Sequence, residues 1–195
     1  MLRALNVIWR LNLKPTDLVD TAKKLGADVP YFLCGGPALG LGRGDDITPV
    51  DLDLRKKVLL VMGGAPVSTA EVFRRLDREP RPTRKSSPIE ELFERGRLLG
   101  ANRPLSALRN DLSKPAESVG PDLAQAARAV KRAGKASSAA LAAMSGSGST
   151  FFLLLDDAAA RDLARRSLAE AGFASISTAL LSRKRFHDRF EIVRA

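Results

Sequence analysis

Five places in this chain carry side chains or backbone able to do chemistry. Asp28 sits in Leu25-Gly26-Ala27-Asp28-Val29-Pro30-Tyr31-Phe32, where a carboxylate at a turn can orient a hydroxyl and accept its proton. It is followed by spaced glycines, Gly35, Gly36, Gly40, Gly42 and Gly44, which let backbone come close to a ligand because no Cβ intervenes. Thr69 and Phe73 stand one helical turn apart and so share a face. Ser145-Gly146-Ser147-Gly148-Ser149 offers consecutive N–H groups and hydroxyls, the chemistry of a phosphate nest. His187 is the only histidine, set among Arg183, Lys184, Arg185 and Arg189.

Each of these has a plainer reading. An Asp after Gly-Ala forms turns on its own account. The glycines also fit a tight strand-turn-strand, and the Gly/Ser stretch fits an ordinary turn between two strands. On helical periodicity alone Phe73 reads as core. His187 has no second ligand and no nucleophile beside it, and reads as a solvated residue of the tail. The single cysteine, Cys34, excludes an internal disulfide and reads as a small buried hydrophobe. No metal-ligand spacing occurs, so no protein-held metal site is expected.

The elements that must position these residues follow from pattern. Leu2, Leu5, Ile8 and Trp9 trace one face of an opening helix that no side chain caps. Lys14-Pro15 breaks it, Thr16 is placed to cap the next, and Leu18, Ala22 and Leu25 form a buried stripe up to Gly26. A strand is expected directly after the Asp28 turn. Ile47–Val50 and Val58–Met62 read as strands. Ser68 with Glu71 caps a helix over Thr69–Leu76. Arg78–Pro88, rich in proline and basic residues, reads as a mobile loop. Helices are expected over Ile89–Leu99, Pro104–Leu112 and Pro121–Ala133, the last stopped by Gly134. Strands at Ala139–Met144, Thr150–Leu155 and Ala174–Ser182, with a helix over Ala158–Ala171, complete a split β-α-β pattern.

The chain has 195 residues, 45% hydrophobic and 28% charged, which is enough for one large domain or two small ones. No apolar run approaches the roughly 18 residues that would span a bilayer, and no signal-peptide pattern is present, so a cytoplasmic location without membrane attachment is expected. The net charge of +10 suits an anionic partner. One tyrosine and one tryptophan supply little of the aromatic interleaving of a strand-stacking surface, which argues against nucleic acid.

The Asp28 segment and the Met144–Phe151 segment, in this order, resemble the GHMP small-molecule kinases, and within them the branch whose substrate is a cytidine diphosphate derivative of methylerythritol. The likeness runs from Leu2 to about Ser182, while Arg183–Ala195 matches less and reads as a variable tail. The resemblance implies an α+β fold: a ferredoxin-like GHMP kinase C-terminal domain over 56–195, preceded over 1–55 by the remnant of an N-terminal ribosomal-S5-like kinase domain. It implies ATP as phosphoryl donor, with Mg2+ carried on its phosphates. By the same token Asp28 is implied as catalytic base, and Gly42, Arg43 and Gly44 as the loop under the cytidine end. Thr69 is implied on the erythritol portion, Phe73 on the face of cytosine, and Gly146, Ser147 and Gly148 in the phosphate loop. Asn110-Asp111-Leu112 matches a further segment, for which a structural role is expected.

The pattern of those kinases also has a glycine-rich ATP loop before the first helix and a lysine partner for the aspartate, neither of which occurs in these residues. A truncated kinase of impaired activity and poor solubility is therefore expected. A degenerate, non-catalytic module binding an anionic partner through its basic surface is the other reading.

Overall fold

The computed structural model describes residues 1–50, 56–78, 93–94, 97–98, 105 and 108–190. It divides into two compact units, Met1–Asp53 with Leu92–Leu99 and Leu181–Ala195 in one, Leu54–Glu91 and Gly100–Leu180 in the other.

The second unit is built on four antiparallel strands: β3 (Lys57–Met62), β6 (Leu141–Ser145), β7 (Thr150–Leu155) and β8 (Ser175–Ala179), in the spatial order β6-β7-β3-β8. The long ladder pairs Lys57 with Leu155 through to Met62 with Thr150, and β8 lies along the other edge of β3, with Val58 opposite Thr178. Alternation sorts the side chains. Leu59, Val61, Phe151, Leu153 and Leu155 face a helical layer, while Val58, Leu60, Phe152 and Leu154 belong to a smaller cluster with Leu105 and Leu108. The helical layer is α4 (Thr69–Leu76), α5 (Ser113–Val119), α6 (Pro121–Ala136) and α7 (Ala158–Glu170). Val72, Ala116, Leu123, Ala126, Ala133, Ala164 and Leu168 fill the space between. Strand order and connections are those of the ferredoxin-like split β-α-β expected from the sequence.

Local chemistry explains most of these boundaries. The Ser68 hydroxyl accepts from the Glu71 N–H at the start of α4, and the Asp157 carboxylate accepts from the Ala160 N–H at 2.8 Å at the start of α7. Pro121 occupies the first turn of α6, where its missing N–H costs nothing. Gly134, expected to stop α6, instead lies buried inside it. A Cβ there would stand 2.9 Å from the Ala142 Cβ, so the glycine lets helix and strand approach and the helix runs on to Ala136. The helix expected over Pro104–Leu112 is absent at 108–112; α5 begins at Ser113 instead. Where a helix is expected over Ile89–Leu99, Phe93–Glu94 (β4) and Arg97–Leu98 (β5) pair antiparallel. The remainder of that segment, and the expected loop beyond Arg78, lie outside the described residues.

The first unit contains α1 (Leu2–Ile8), α2 (Pro15–Leu25), α3 (Tyr31–Cys34), the hairpin β1 (Ala38–Leu41) and β2 (Asp46–Pro49), and α8 (Arg183–Phe190). Thr16 is not the cap of α2: Pro15 opens that helix, and Asp17 Oδ2 accepts from the Lys14 N–H at 3.0 Å. Leu18 and Ala22 are buried, but Leu25 is exposed. After Asp28 the chain enters α3 rather than a strand.

Residues 183–190 are not a loose tail. Arg183 donates to the carbonyls of Gly35 at 3.2 Å and Pro37 at 2.6 Å, and the Phe186 ring lies where a Cβ on Gly35 would be. Arg3 donates to His187 Nδ1 at 3.0 Å and to the Leu33 carbonyl. A guanidinium has only donors, so Nδ1 accepts, and Nε2–H donates to the Cys34 carbonyl at 2.9 Å. His187 is therefore a structural residue with both ring nitrogens engaged, and not a solvated one.

Candidate active site

In the second unit the site residues converge on the N-terminal end of α4 and the turn between β6 and β7. Cap formation by Ser68 fixes where the first turn of α4 begins, and this sets the direction of Thr69. The Thr69 Oγ1 and Ser147 Oγ lie 2.8 Å apart, joining two residues 78 positions apart in sequence. Phe73, one turn along the same helix, is 48% exposed while its neighbour Val72 is fully buried. The core reading of Phe73 is thus overturned: the buried stripe of α4 passes through Val72, leaving the phenyl ring as an open apolar surface.

The Gly/Ser turn is held in a defined shape. Gly146 has φ 58°, Gly148 φ 133° and Ser149 φ 65°, while Ser147 between the glycines is not left-handed. The signs of φ alternate from Gly146 to Gly148, but Gly148 and Ser149 are both positive. A Cβ on Gly148 would be 3.0 Å from Val67 Cγ2 and 3.2 Å from Leu123 Cδ1, so the turn packs down on the unit. Asn110 is the anchor. Its Nδ2 donates to the carbonyls of Met144 at 3.1 Å and Gly146 at 2.7 Å, while its Oδ1 accepts from the Leu112 N–H at 3.0 Å. The Ser149 carbonyl accepts from the Gly63 N–H at 2.6 Å. The sequence places Asn110 in a structural segment, but its direct hold on the Gly/Ser turn is not readable from it, since the two are 34 to 36 positions apart.

In the first unit Asp28 lies in the turn between α2 and α3, held by the Val29 N–H donating to the Gly26 carbonyl at 3.2 Å. Its side chain is exposed and makes no hydrogen bond or ion pair among the described residues. Gly42, Arg43 and Gly44 form the tip of the β1–β2 hairpin, whose register pairs Leu41 with Asp46. Gly42 and Gly44 have φ 63° and 91°, and a Cβ on either would meet open space. At Gly40 a Cβ would come within 3.0 Å of the Gly44 carbonyl oxygen, so this glycine is required by the turn. Arg43 pairs with Asp45 at 2.6 Å, and its hydrogen bond holds the Asp45 carboxyl below the usual carboxylate range.

The first unit thus offers an exposed carboxylate, and the second offers two hydroxyls in contact, a Gly/Ser turn and an exposed ring on α4. Among the described residues no cluster of three or more His, Cys, Asp or Glu side chains has the geometry to hold a metal ion. No described helix is long and apolar enough to cross a membrane.

A family model described as GHMP kinases C terminal matches residues 89–174. The chain is 37% identical over 171 residues to the 4-diphosphocytidyl-2-C-methyl-D-erythritol kinase of Rhodococcus jostii, a match covering 86% of this chain and 53% of that protein. In sequence and fold the chain is similar to GHMP kinases. A crystal structure of 4-(cytidine 5'-diphospho)-2C-methyl-D-erythritol kinase superposes with a TM-score of 0.61 at 28% identity, over 89% of this chain and 59% of that one. A homoserine kinase from Cytophaga hutchinsonii shares the fold at 17% identity, with a TM-score of 0.64, over 91% of this chain and 61% of that one. The chain spans about half the length of the curated relatives it matches.

Proposed function

We propose that this chain forms part of a kinase that transfers phosphate from ATP to the 2-hydroxyl of 4-diphosphocytidyl-2-C-methyl-D-erythritol, in the non-mevalonate route to isoprenoids. The observation that supports this reading best is the contact of Thr69 with Ser147 beside the exposed ring of Phe73: hydroxyls for a sugar alcohol and an apolar plate for a base on one helix face. In this reading Asp28 accepts the proton of the attacking hydroxyl, and Thr69 positions the erythritol portion. Phe73 stacks on cytosine, worth about 1–3 kcal/mol for a base on an aromatic ring. Gly42, Arg43 and Gly44 approach the cytidine end, and Gly146, Ser147 and Gly148 lie against phosphate. Magnesium arrives on the ATP phosphates and offsets their charge. The functional division is at residues 55 and 56, and the enzyme works in the cytoplasm.

A polypeptide confined to these 195 residues is expected to turn over poorly, because the glycine-rich loop on which such kinases seat a triphosphate is not among them. The test is phosphoryl transfer from labelled ATP to the diphosphocytidyl alcohol, with this chain alone and with the chain joined to the remainder of a kinase relative. Asp28→Asn in the active form should lower kcat about 100-fold to 10,000-fold with little change in KM. Full activity of Asp28→Asn would remove the base role; vigorous turnover by the chain alone would remove the impairment.

A second reading has its own observation. Arg74, Arg75 and Arg78 outnumber the one carboxylate, Glu71, in a polar cleft of about 230 Å3 that Ser118 and Val119 complete, on the side of α4 turned away from Thr69 and Phe73. In that reading the chain is a non-catalytic module for an anionic partner. Binding to the partner would then weaken steeply with salt, and Arg75→Ala would weaken it while Phe73→Ala would not.

A further inference from the structure

Helix α6 buries Leu123, Ala126, Ala129, Val130, Ala133 and Gly134. Helical periodicity then turns Arg128, Lys131, Arg132 and Lys135 outward, and all four are exposed. Arg128 stands three and four residues before Lys131 and Arg132, and Lys135 the same distances after Arg132 and Lys131, so every cation has neighbours of its own sign. Like charges at those spacings destabilise a helix, and no acid relieves them. The one carboxylate of α6, Asp122, lies in its first turn beside Gly64. None of the four cations makes a side-chain hydrogen bond or ion pair among the described residues. The other helices of the unit interleave the signs: Glu71 comes four residues before Arg75 on α4, Lys114 three before Glu117 on α5, and Asp162 four before Arg166 on α7. The stripe on α6 is the exception.

The chemistry of the stripe selects its partner. It runs along about 10 Å of helix axis and has Ala124 and Gln125 beside it, with no aromatic or large apolar side chain on that face. Unpaired bases would find nothing to stack on there, and a bilayer would find no apolar group to take up. Guanidinium and ammonium groups by themselves suit phosphate oxygens. A nucleic-acid duplex presents one negative charge per ~1.7 Å of its axis, about six over the length of the stripe. We propose that the outer face of α6 binds the phosphate backbone of duplex nucleic acid without reading its sequence. The scarcity of aromatic rings argues against an unwound strand and has no bearing on a duplex, while the net charge of +10 favours encounter. This surface is separate from the Arg74 cleft on α4, and its existence does not rest on the kinase reading.

The test is fluorescence anisotropy of a labelled DNA duplex of about 20 base pairs, titrated with the chain over a series of salt concentrations. Dissociation constants of about 1–100 μM near physiological salt are expected, with log affinity falling against log salt at a slope of about −3 to −4, as four phosphate contacts require. Arg128→Gln combined with Arg132→Gln should make that slope shallower by about 2, whereas Arg75→Ala, in the cleft on α4, should leave it unchanged. Arg132→Glu should weaken binding about tenfold or more without lowering the melting temperature, because it replaces two like-charged pairs on α6 by opposite ones. Amide protection of β3 and β7 shows that each variant is folded. No binding to the duplex, a slope that the double variant leaves unchanged, or a loss carried by Arg75→Ala instead would overturn the proposal. So would equally tight binding to poly-glutamate or to phosphatidylserine vesicles, which would make an acidic protein or a membrane the partner.

Discussion

At the scale of single residues, the candidate site depends on contacts that no local pattern specifies. Thr69 was legible as a helix residue sharing a face with Phe73, but its contact with Ser147 joins segments that meet only when β3, α4 and the β6–β7 turn are packed together. Phe73 shows the limit of periodicity: a short amphipathic helix has room for one fully buried position here, and Val72 takes it. Asn110 is the residue whose role is least visible in sequence and clearest in structure. Asn110→Ala would leave two carbonyls of the Gly/Ser turn without their donor. The expected cost is about 1–3 kcal/mol, seen as a lower melting temperature and as faster amide exchange at Gly146–Ser149. Unchanged exchange there would mean that the packing on Val67 and Leu123 and the Gly63 N–H to Ser149 carbonyl bond hold the turn without Asn110.

At the scale of elements, starts were more legible than stops. Ser68, Asp157 and Pro121 announce their helices because capping chemistry is local. Gly134 misleads because the reason for a glycine there is a neighbour outside its own helix, the Cβ of Ala142. Gly134→Val should therefore destabilise by about 2 kcal/mol, near the middle of the overpacking range, lowering the melting temperature by about 5 °C; stabilisation would mean that β6 yields readily. Lys14-Pro15 was correctly a break, yet the first-turn carboxylate of Asp17 rather than Thr16 satisfies the exposed N–H of Lys14. Helix α8 went unforeseen since its contacts are with carbonyls of Gly35, Pro37 and Cys34, about 150 positions earlier. Its charged sequence gives no apolar stripe to announce it.

At the scale of the molecule, the two units differ in how completely they bury their own hydrocarbon. The second unit closes a core between its helical layer and one face of a four-stranded sheet, with Leu59, Leu123, Leu153, Leu155 and Leu168 fully enclosed. Its fold was legible in advance because the short continuous apolar runs of β3 and β7, helix caps and turn glycines all point the same way. The first unit keeps Ile8, Trp9, Leu25 and Phe32 in the open, and its elements were predicted better than its packing, because a helix pattern specifies an apolar face without naming what covers it.

The central claim is that the open face of α4 receives the base of a cytidine diphosphate compound. Titration of cytidine 5'-diphosphate into the chain, followed by proton NMR, examines this directly. The account predicts saturable binding with magnetisation transfer between the cytosine ring protons and the Phe73 ring, weakened about tenfold or more by Phe73→Ala, in keeping with the loss of one aromatic stack. Binding that leaves the Phe73 and Thr69 resonances unmoved, or that is equally tight in Phe73→Ala, would contradict it.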